Sequence, residues 1–184
     1  MYSNNLNIID KRVSQPTDSS FWTSHKNIPL YSGVGLVGFS LYEGSESRVG
    51  RTAWKSIDAL VISTLFTETF KSLSRRMRPR YTDNPNFWLE KGHSFPSQHV
   101  ASMTAMVTPF ILEYKDDYPL VNLLWVFPLH QMIGRVKAQA HWQTDVMAGF
   151  LIGAISGKIA YDMDSSILLN LSGDGVMVGW KHKF

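Results

Sequence analysis

The stretch "GRVKAQAHWQTDVMAGFLIG", residues 134–153, joins two unlike halves. Its right half is apolar and glycine-spaced, the composition of a helix packed closely in a core. Its left half carries Arg135, His141 and Asp145. On a helix running from about Ala140 to Asp162, His141 and Asp145 are four apart and share one face. At that spacing an aspartate accepts the imidazole Nδ1 proton, fixes the tautomer and leaves Nε2 as a free lone pair. The spacing also suits an ordinary surface or capping pair, or two ligands of a metal. The stretch alone does not choose among these.

Outward from it, the chain reads as a succession of helices. Pro29–Tyr42 is an apolar, glycine-containing segment. Between 47 and 77, Trp54, Ile57, Leu60, Val61, Thr64 and Leu65 recur at helical spacing, and Pro79 ends the run by disfavouring helical geometry in the residue before it. This helix is expected to deliver Lys71, Arg75, Arg76, Arg78 and Arg80 at its C-terminal side, where the dipole favours cations. Residues 81–96, with two prolines, an Asp-Asn pair and a glycine, read as a loop. Ser97 is a good N-cap for a helix through Tyr114, and a further helix over about 119–135 is expected to kink at Pro128. The first 20 residues are polar and predict an extended surface arm. At the other end, "ILLNL", "SGDG" and "VMVGWKHKF" predict a small hairpin within 165–184, with Val176, Val178, Trp180 and Phe184 expected to cover the core, the alternative being contact with a membrane.

A chain of 184 residues with 44% hydrophobic content supports one core and one domain, 1–184. Lys+Arg 18 against Asp+Glu 15 is a net charge of only +3, which makes no case for nucleic acid. The absence of cysteine excludes disulfides, thiolate metal sites and cysteine nucleophiles. The N-terminus has no basic start followed by an apolar core, so no secretory signal is expected in the sequence as it stands. Spanning a membrane takes about 20 consecutive apolar residues. The runs 28–42 and 118–134 fall short, the second broken by Asn122, Pro128, His130 and Gln131. With a mean hydropathy of −0.11, the expectation is a soluble or surface-bound helical protein.

Two further motifs bear on residues 134–153. In "SFPSQHVA", 94–101, His99 falls in a first helical turn after Ser97, where free backbone N–H groups and the dipole make an anion site. In "KSLSRRMRP", 71–79, Lys71 and Arg78 are seven apart, close to two helical turns, so both can face one way. Each motif has a bland reading: a cap beside a loop-facing histidine, and solvated helix-end charge.

In order, Lys71-x6-Arg78-Pro79, Pro96-Ser97-x-His99 and Arg135-x5-His141-x3-Asp145 closely resemble the tripartite signature of the type 2 phosphatidic acid phosphatase superfamily. That superfamily also contains bacterial class A acid phosphatases and vanadium haloperoxidases. Its pattern is Lys-x6-Arg-Pro, Pro-Ser-Gly-His and Ser-Arg-x5-His-x3-Asp, so Gln98 stands at a glycine position and Gly134 at a serine position. The resemblance implies an all-α helical bundle of the acid phosphatase/vanadium haloperoxidase type, here with the C-terminal hairpin added. It implies phosphate binding by Lys71, Arg78, Ser97, Gln98 and Arg135, the last expected just before the final helix. His141 would be the nucleophile of a phosphohistidine intermediate, Asp145 would stabilise its imidazolium, and His99 would serve as acid and then base. No metal is expected; vanadate would act as an inhibitor, or as cofactor if the chain were a haloperoxidase.

The Gln98 side chain would narrow the pocket, add an amide contact or lower activity, at the extreme leaving a phosphate- or lipid-binding protein without turnover. The expected substrate is a phosphorylated lipid or polyprenyl diphosphate, with a small soluble phosphomonoester as the alternative and loop 81–95 setting the choice. Arg75, Arg76 and Arg80 are expected to be solvated or to ring the mouth. His93 and His130 are expected to be structural or peripheral. By resemblance, a bacterial, periplasmic or peripherally membrane-associated setting follows, and oligomeric state is left open.

Overall fold

The computed structural model describes residues 9–14, 22 and 27–163, together with the backbone of 167–172 and 175–180. Among these residues the chain forms α1 (Ile28–Glu43), α2 (Arg48–Ser74), α3 (Gln98–Tyr114), a 3₁₀ segment (Pro119–Trp125), α4 (Val126–Lys137) and α5 (Gln143–Asp162). The backbone of β1 (Ile167–Ser172) pairs with β2 (Gly175–Trp180) in an antiparallel hairpin. The proposed core-covering side chains of that hairpin lie outside the described residues, as do 1–8 and 15–20 of the arm. The fold is all-α, as the helical periodicity predicts.

The central helix is α3, buried along nearly its whole length from Val100 to Ile111. It is held close to α5 by a glycine stripe. A Cβ at Gly149 would lie 2.4 Å from the Ser97 carbonyl oxygen, one at Gly153 2.4 Å from the Ala101 carbonyl oxygen, and one at Gly157 2.4 Å from Thr108 Cβ. Only a missing side chain permits these approaches. The glycine spacing within 134–153 therefore sets the distance between α5 and the start of α3, where the sequence places the phosphate motif.

Small residues make up much of the interior, among larger ones such as Met103, Met106, Ile111 and Trp142. Ala53, Ala59, Ala101, Ala105 and Ala160 are buried beside Ser56, Ser63, Thr67, Thr104 and Thr108. The hydroxyls of Thr104 and Thr108 return to their own helix, bonding the carbonyls of Val100 and Thr104 at 2.8 and 2.7 Å. Many larger apolar side chains lie outside: Leu30 and Val34 on α1, Leu65 and Leu73 on α2, Leu151 and Ile155 on α5 are all exposed. No helix among the described residues is long and apolar enough to cross a membrane.

Four boundaries differ from the sequence expectations. Helix α2 stops at Ser74 because Arg75 adopts a left-handed conformation (φ 46°, ψ 38°) and returns its N–H to the Lys71 carbonyl. Arg76–Arg80 therefore lie beyond the helix, and helical spacing no longer relates Arg78 to Lys71. The break near Pro128 falls earlier, where 3₁₀ geometry gives way to α4 at Val126, and Pro128 sits in the first turn, which tolerates a missing N–H. Arg135 lies within the last turn of α4. Helix α5 begins at Gln143, so His141 precedes it.

Gly153→Ala is expected to lower stability by about 1–3 kcal/mol, since the new methyl meets backbone that cannot yield. Gly38→Ala on α1, where nothing lies within 4 Å of the added carbon, is expected to raise it by about 0.5–1 kcal/mol. Chemical denaturation of both variants checks the pair, and equal effects would rule out a packing role for the stripe.

Candidate active site

Asp145 occupies the third position of α5, where its carboxylate is favoured by the positive helix end. One oxygen, Oδ2, accepts the backbone N–H of Trp142 at 2.8 Å and the Ser94 hydroxyl at 2.5 Å. The other, Oδ1, accepts Arg76 Nη1 at 2.6 Å. The imidazole of His141 is not hydrogen-bonded to it, because Nδ1 stands 3.8 Å from Oδ2. Nδ1 instead lies 2.6 Å from the Ser94 backbone carbonyl. A carbonyl oxygen only accepts, so Nδ1 carries the proton and Nε2 is left with its lone pair.

The expected direct His141–Asp145 hydrogen bond is thus corrected to an ion-pair approach of 3.8 Å, with Ser94 bonded to both residues. Its carbonyl holds the imidazole, its hydroxyl donates to Asp145, and its N–H donates to the Arg76 carbonyl at 3.0 Å. The physical reason is the start of α5 at Gln143, which turns the carboxylate back onto Trp142.

Arg76, in a run of cations that reads as solvated, is instead fully buried. It donates from Nε and Nη2 to the Pro85 carbonyl (3.0 and 2.8 Å), from Nη1 to Thr144 Oγ1 (2.8 Å) and Asp145, and from Nη2 to Asp10 Oδ2 (2.5 Å). Its guanidinium carbon also sits 4.4 Å from the centre of the Trp88 ring. Five N–H groups thus meet five acceptor contacts, the condition on which a buried guanidinium is tolerated. Asp10, in the segment that reads as a surface arm, is buried as the partner of this charge. Neither residue can be singled out from the sequence, which shows Arg76 only as one of five neighbouring cations. Arg75 and Arg80 are exposed as expected, and His130 stacks on Trp22 with ring centres 5.0 Å apart, a structural role.

The remaining candidates gather at the start of α3. Ser97 is the N-cap residue but its side chain makes no capping bond; its N–H donates to the Asp145 carbonyl at 3.0 Å, tying α3 to α5. Its buried hydroxyl and the buried Nε of Arg135 have no hydrogen-bond partner among the described residues. Burial, and then the charges of Arg78 and Arg80, push the Arg135 guanidinium down to about 10. Burial and Arg80 likewise lower Arg78, against weaker opposing pulls from Tyr81 and Asp145. Arg78, Arg80 and Arg135 thus stand close enough to act on one another, and the charges of Arg135 and Arg78 also reach His141. His141 is held below its ordinary 6.5 first by burial, with Asp145 opposing and Arg135 and Arg78 adding to the fall.

Lys71 Nζ is held at 2.7 Å by Glu68 Oε1 and at 2.7 Å by Gln98 Oε1. The glutamine at the family's glycine position thus contacts the lysine of another motif. Gly134 also has a local reason, since a Cβ there would meet the Trp22 carbonyl oxygen at 2.9 Å. His99 and Gln98 line a groove of about 510 Å³ whose other walls include Leu30, Val34, Val37 and Leu60. Among the described residues, no three His, Asp or Glu side chains are grouped so as to hold a metal ion.

The family model for the PAP2 superfamily matches residues 52–166. The chain belongs to the PAP2 superfamily. Among curated proteins, it is similar to the lipid A 1-phosphatase of Porphyromonas gingivalis, 25% identical over 159 residues, which cover 84% of this chain and 34% of that protein. The chain thus spans about a third of that relative's length. Among solved structures, it is similar in fold to Aquifex aeolicus LpxE, with a TM-score of 0.55 and 21% identity over 78% of this chain and 92% of that one. As in the family pattern, this PAP2 chain brings residues from all three motifs to the junction of α3 and α5.

Arg76→Met is expected to cost about 3–5 kcal/mol, because it strands two buried carboxylates. Arg76→Lys is expected to restore little, since one ammonium cannot supply the planar five-donor fork. Urea melts of the two variants check this; a loss under about 1 kcal/mol in both would show that the carboxylates find other partners.

Proposed function

We propose that this PAP2 chain is a lipid phosphatase, hydrolysing a phosphomonoester or diphosphate of a lipid or polyprenyl substrate through a phosphohistidine on His141. The observation that carries the reading is an imidazole whose Nδ1 is bonded, leaving Nε2 as nucleophile, under the charge of Arg135, whose buried Nε is unpartnered among the described residues, as is the hydroxyl of Ser97, which is tied to Asp145 through its backbone. Donors fixed before the reaction stabilise charge on the transferring phosphoryl group, where most phosphoryl-transfer catalysis originates. Lys71, Arg78 and Arg135, with the Ser97 hydroxyl and the backbone N–H of Gln98, form the cradle.

In the first step Nε2 of His141 attacks phosphorus, the P–O bond to the leaving group breaks, and His99 gives that oxygen a proton. The imidazole is then cationic, stabilised by Asp145 through space and by the Ser94 carbonyl directly. In the second step His99 takes a proton from water, the water oxygen attacks phosphorus, and the P–N bond breaks to release phosphate and His141. The cations supply the charge stabilisation, so no step is routed through a metal ion. Vanadate, shaped like the transferring group, is expected to inhibit by occupying the same cradle.

The lipid assignment is supported by the groove. It runs from His99 and Gln98 into the apolar residues of α1 and α2, so a phosphate at the cradle places an attached chain beside Leu30, Val34 and Leu60. The exposed apolar faces of α1, α2 and α5 suit a protein working at a membrane surface, with the periplasm as its setting. The name of the P. gingivalis relative points to the same substrate class.

Phosphate release in EDTA, from phosphatidic acid in detergent and from an aryl phosphate, tests the reading. His141→Ala is expected to remove turnover of both by at least about 10³-fold. Val34→Asp is expected to reduce lipid turnover at least about tenfold and to spare the aryl phosphate. Activity surviving in His141→Ala would refute the nucleophile, and equal loss on both substrates in Val34→Asp would refute the groove.

A further inference from the structure

The segment before α1 enters the site by a route that the three motifs do not describe. Asp10 is 4% exposed, and its carboxylate accepts from Arg76 Nη2 at 2.5 Å, from the Thr144 N–H at 2.8 Å and from Thr144 Oγ1 at 2.6 Å. Thr144 is the second residue of α5 and Asp145 the third, so two carboxylates cap one helix start and share one guanidinium. Residues on either side of Asp10 fasten it. Lys11 exchanges backbone bonds with the Gln143 side-chain amide at 3.0 and 2.9 Å, and the Gln139 amide donates to the Val13 carbonyl at 2.6 Å. Asp10 lies outside the residues matched by the family model, which begins at 52.

We infer that Asp10 is a positioning residue for His141, acting through Arg76 and Asp145, and that its charge sets how strongly the site stabilises the cationic imidazole. The inference rests on the proposed role of His141 as nucleophile. Two carboxylates on one guanidinium carry a net charge of −1. Were Asp10 neutral, the whole charge of Arg76 would fall on Asp145, leaving nothing net to oppose the other groups facing the imidazole. Those groups are Arg135 from the end of α4 and Arg78 from the segment after α2, with Arg80 beside Arg135. Asp145 at the start of α5 and the Ser94 carbonyl from the loop are the counterweights. Asp10 thus leaves the cluster of Arg76 and two carboxylates net negative beside the imidazole.

The sign of the pH effect separates this role from a merely structural one. The acid limb of kcat/KM reports deprotonation of His141 in the free enzyme. Burial already holds that imidazole below 6.5, and loss of the net negative charge beside it disfavours the protonated form further. Asp10→Asn is therefore expected to move the acid limb to lower pH. A pocket that only loosened would admit water, relieve the burial and move the limb to higher pH.

The experiment measures kcat, KM and the acid limb for the full chain on an aryl phosphate, with thermal melts, in wild type, Asp10→Asn, Asp10→Glu, Gln143→Ala and His141→Ala. Asp10→Asn is expected to lower kcat about tenfold or more, by analogy with losses at residues that orient metal ligands, with KM nearly unchanged and the limb displaced downward. Gln143→Ala, which cuts the backbone fastening without altering charge, is expected to lower Tm and leave the limb in place. Should Asp10→Asn not fold, Asp10→Glu keeps the charge and is expected to hold the limb at its wild-type position. A limb that stays or rises in Asp10→Asn, or falls in Asp10→Glu, would overturn the role of Asp10 while His141 dependence stands. Hydrolysis that persists in His141→Ala would instead overturn the functional reading and this inference with it.

Discussion

The site depends on burying one guanidinium. Withdrawing Arg76 from water costs several kcal/mol, offset only if every N–H finds an acceptor and the charge finds anions. The acceptors come from separate parts of the sequence: Asp10 in the arm, Pro85 in the loop, and Thr144 and Asp145 on α5. Meeting that requirement fixes the loop against the helix start and sets Asp145 where it receives Ser94. The position of the His141 ring follows, because Ser94 holds it by a backbone carbonyl. An apolar residue at 76 could fill the same volume, but it would leave the loop, the arm and α5 without a common partner.

Residues 134–153 show which features a sequence makes legible and which it hides. Gly149 and Gly153 announce a close helix contact, because a missing side chain has few other uses at that spacing. The three motifs point to the phosphate-side residues, which need particular chemistry at particular intervals. Helix ends are less legible. Arg75 ends α2 in a conformation more often taken by glycine, so nothing in "SLSRRMRP" marks the stop. Periodicity alone carries α5 back through His141, which only precedes it, and a direct bond to Asp145 is the mistaken consequence. Arg76 and Asp10 leave no local signal, since their burial arises from a contact across 66 residues. Ser94 is hidden for a different reason: it acts largely through its backbone, which every residue possesses.

Average hydropathy conceals a second feature. A mean near zero usually describes apolar residues inside and polar ones outside. Here much of the interior is alanine, serine and threonine, while leucine, valine and isoleucine occupy exposed faces of α1, α2 and α5. Small residues let the helices approach closely enough to bring three motifs together, and they leave the bulk of the apolar surface for whatever the outer faces meet. Close packing and an apolar exterior are thus two results of one distribution.

The two surfaces meet at Gln98. At the family's glycine position, a side chain would obstruct the cradle if it pointed at the bound phosphoryl group. Instead its amide oxygen accepts from Lys71, and Glu68 takes a second hydrogen of the same ammonium. Lysine is a flexible point charge with considerable rotamer freedom, so two acceptors remove that freedom in the folded protein before substrate arrives. The same glutamine lines the apolar groove beside His99. A single residue therefore touches Lys71 on one side and lines the apolar groove on the other.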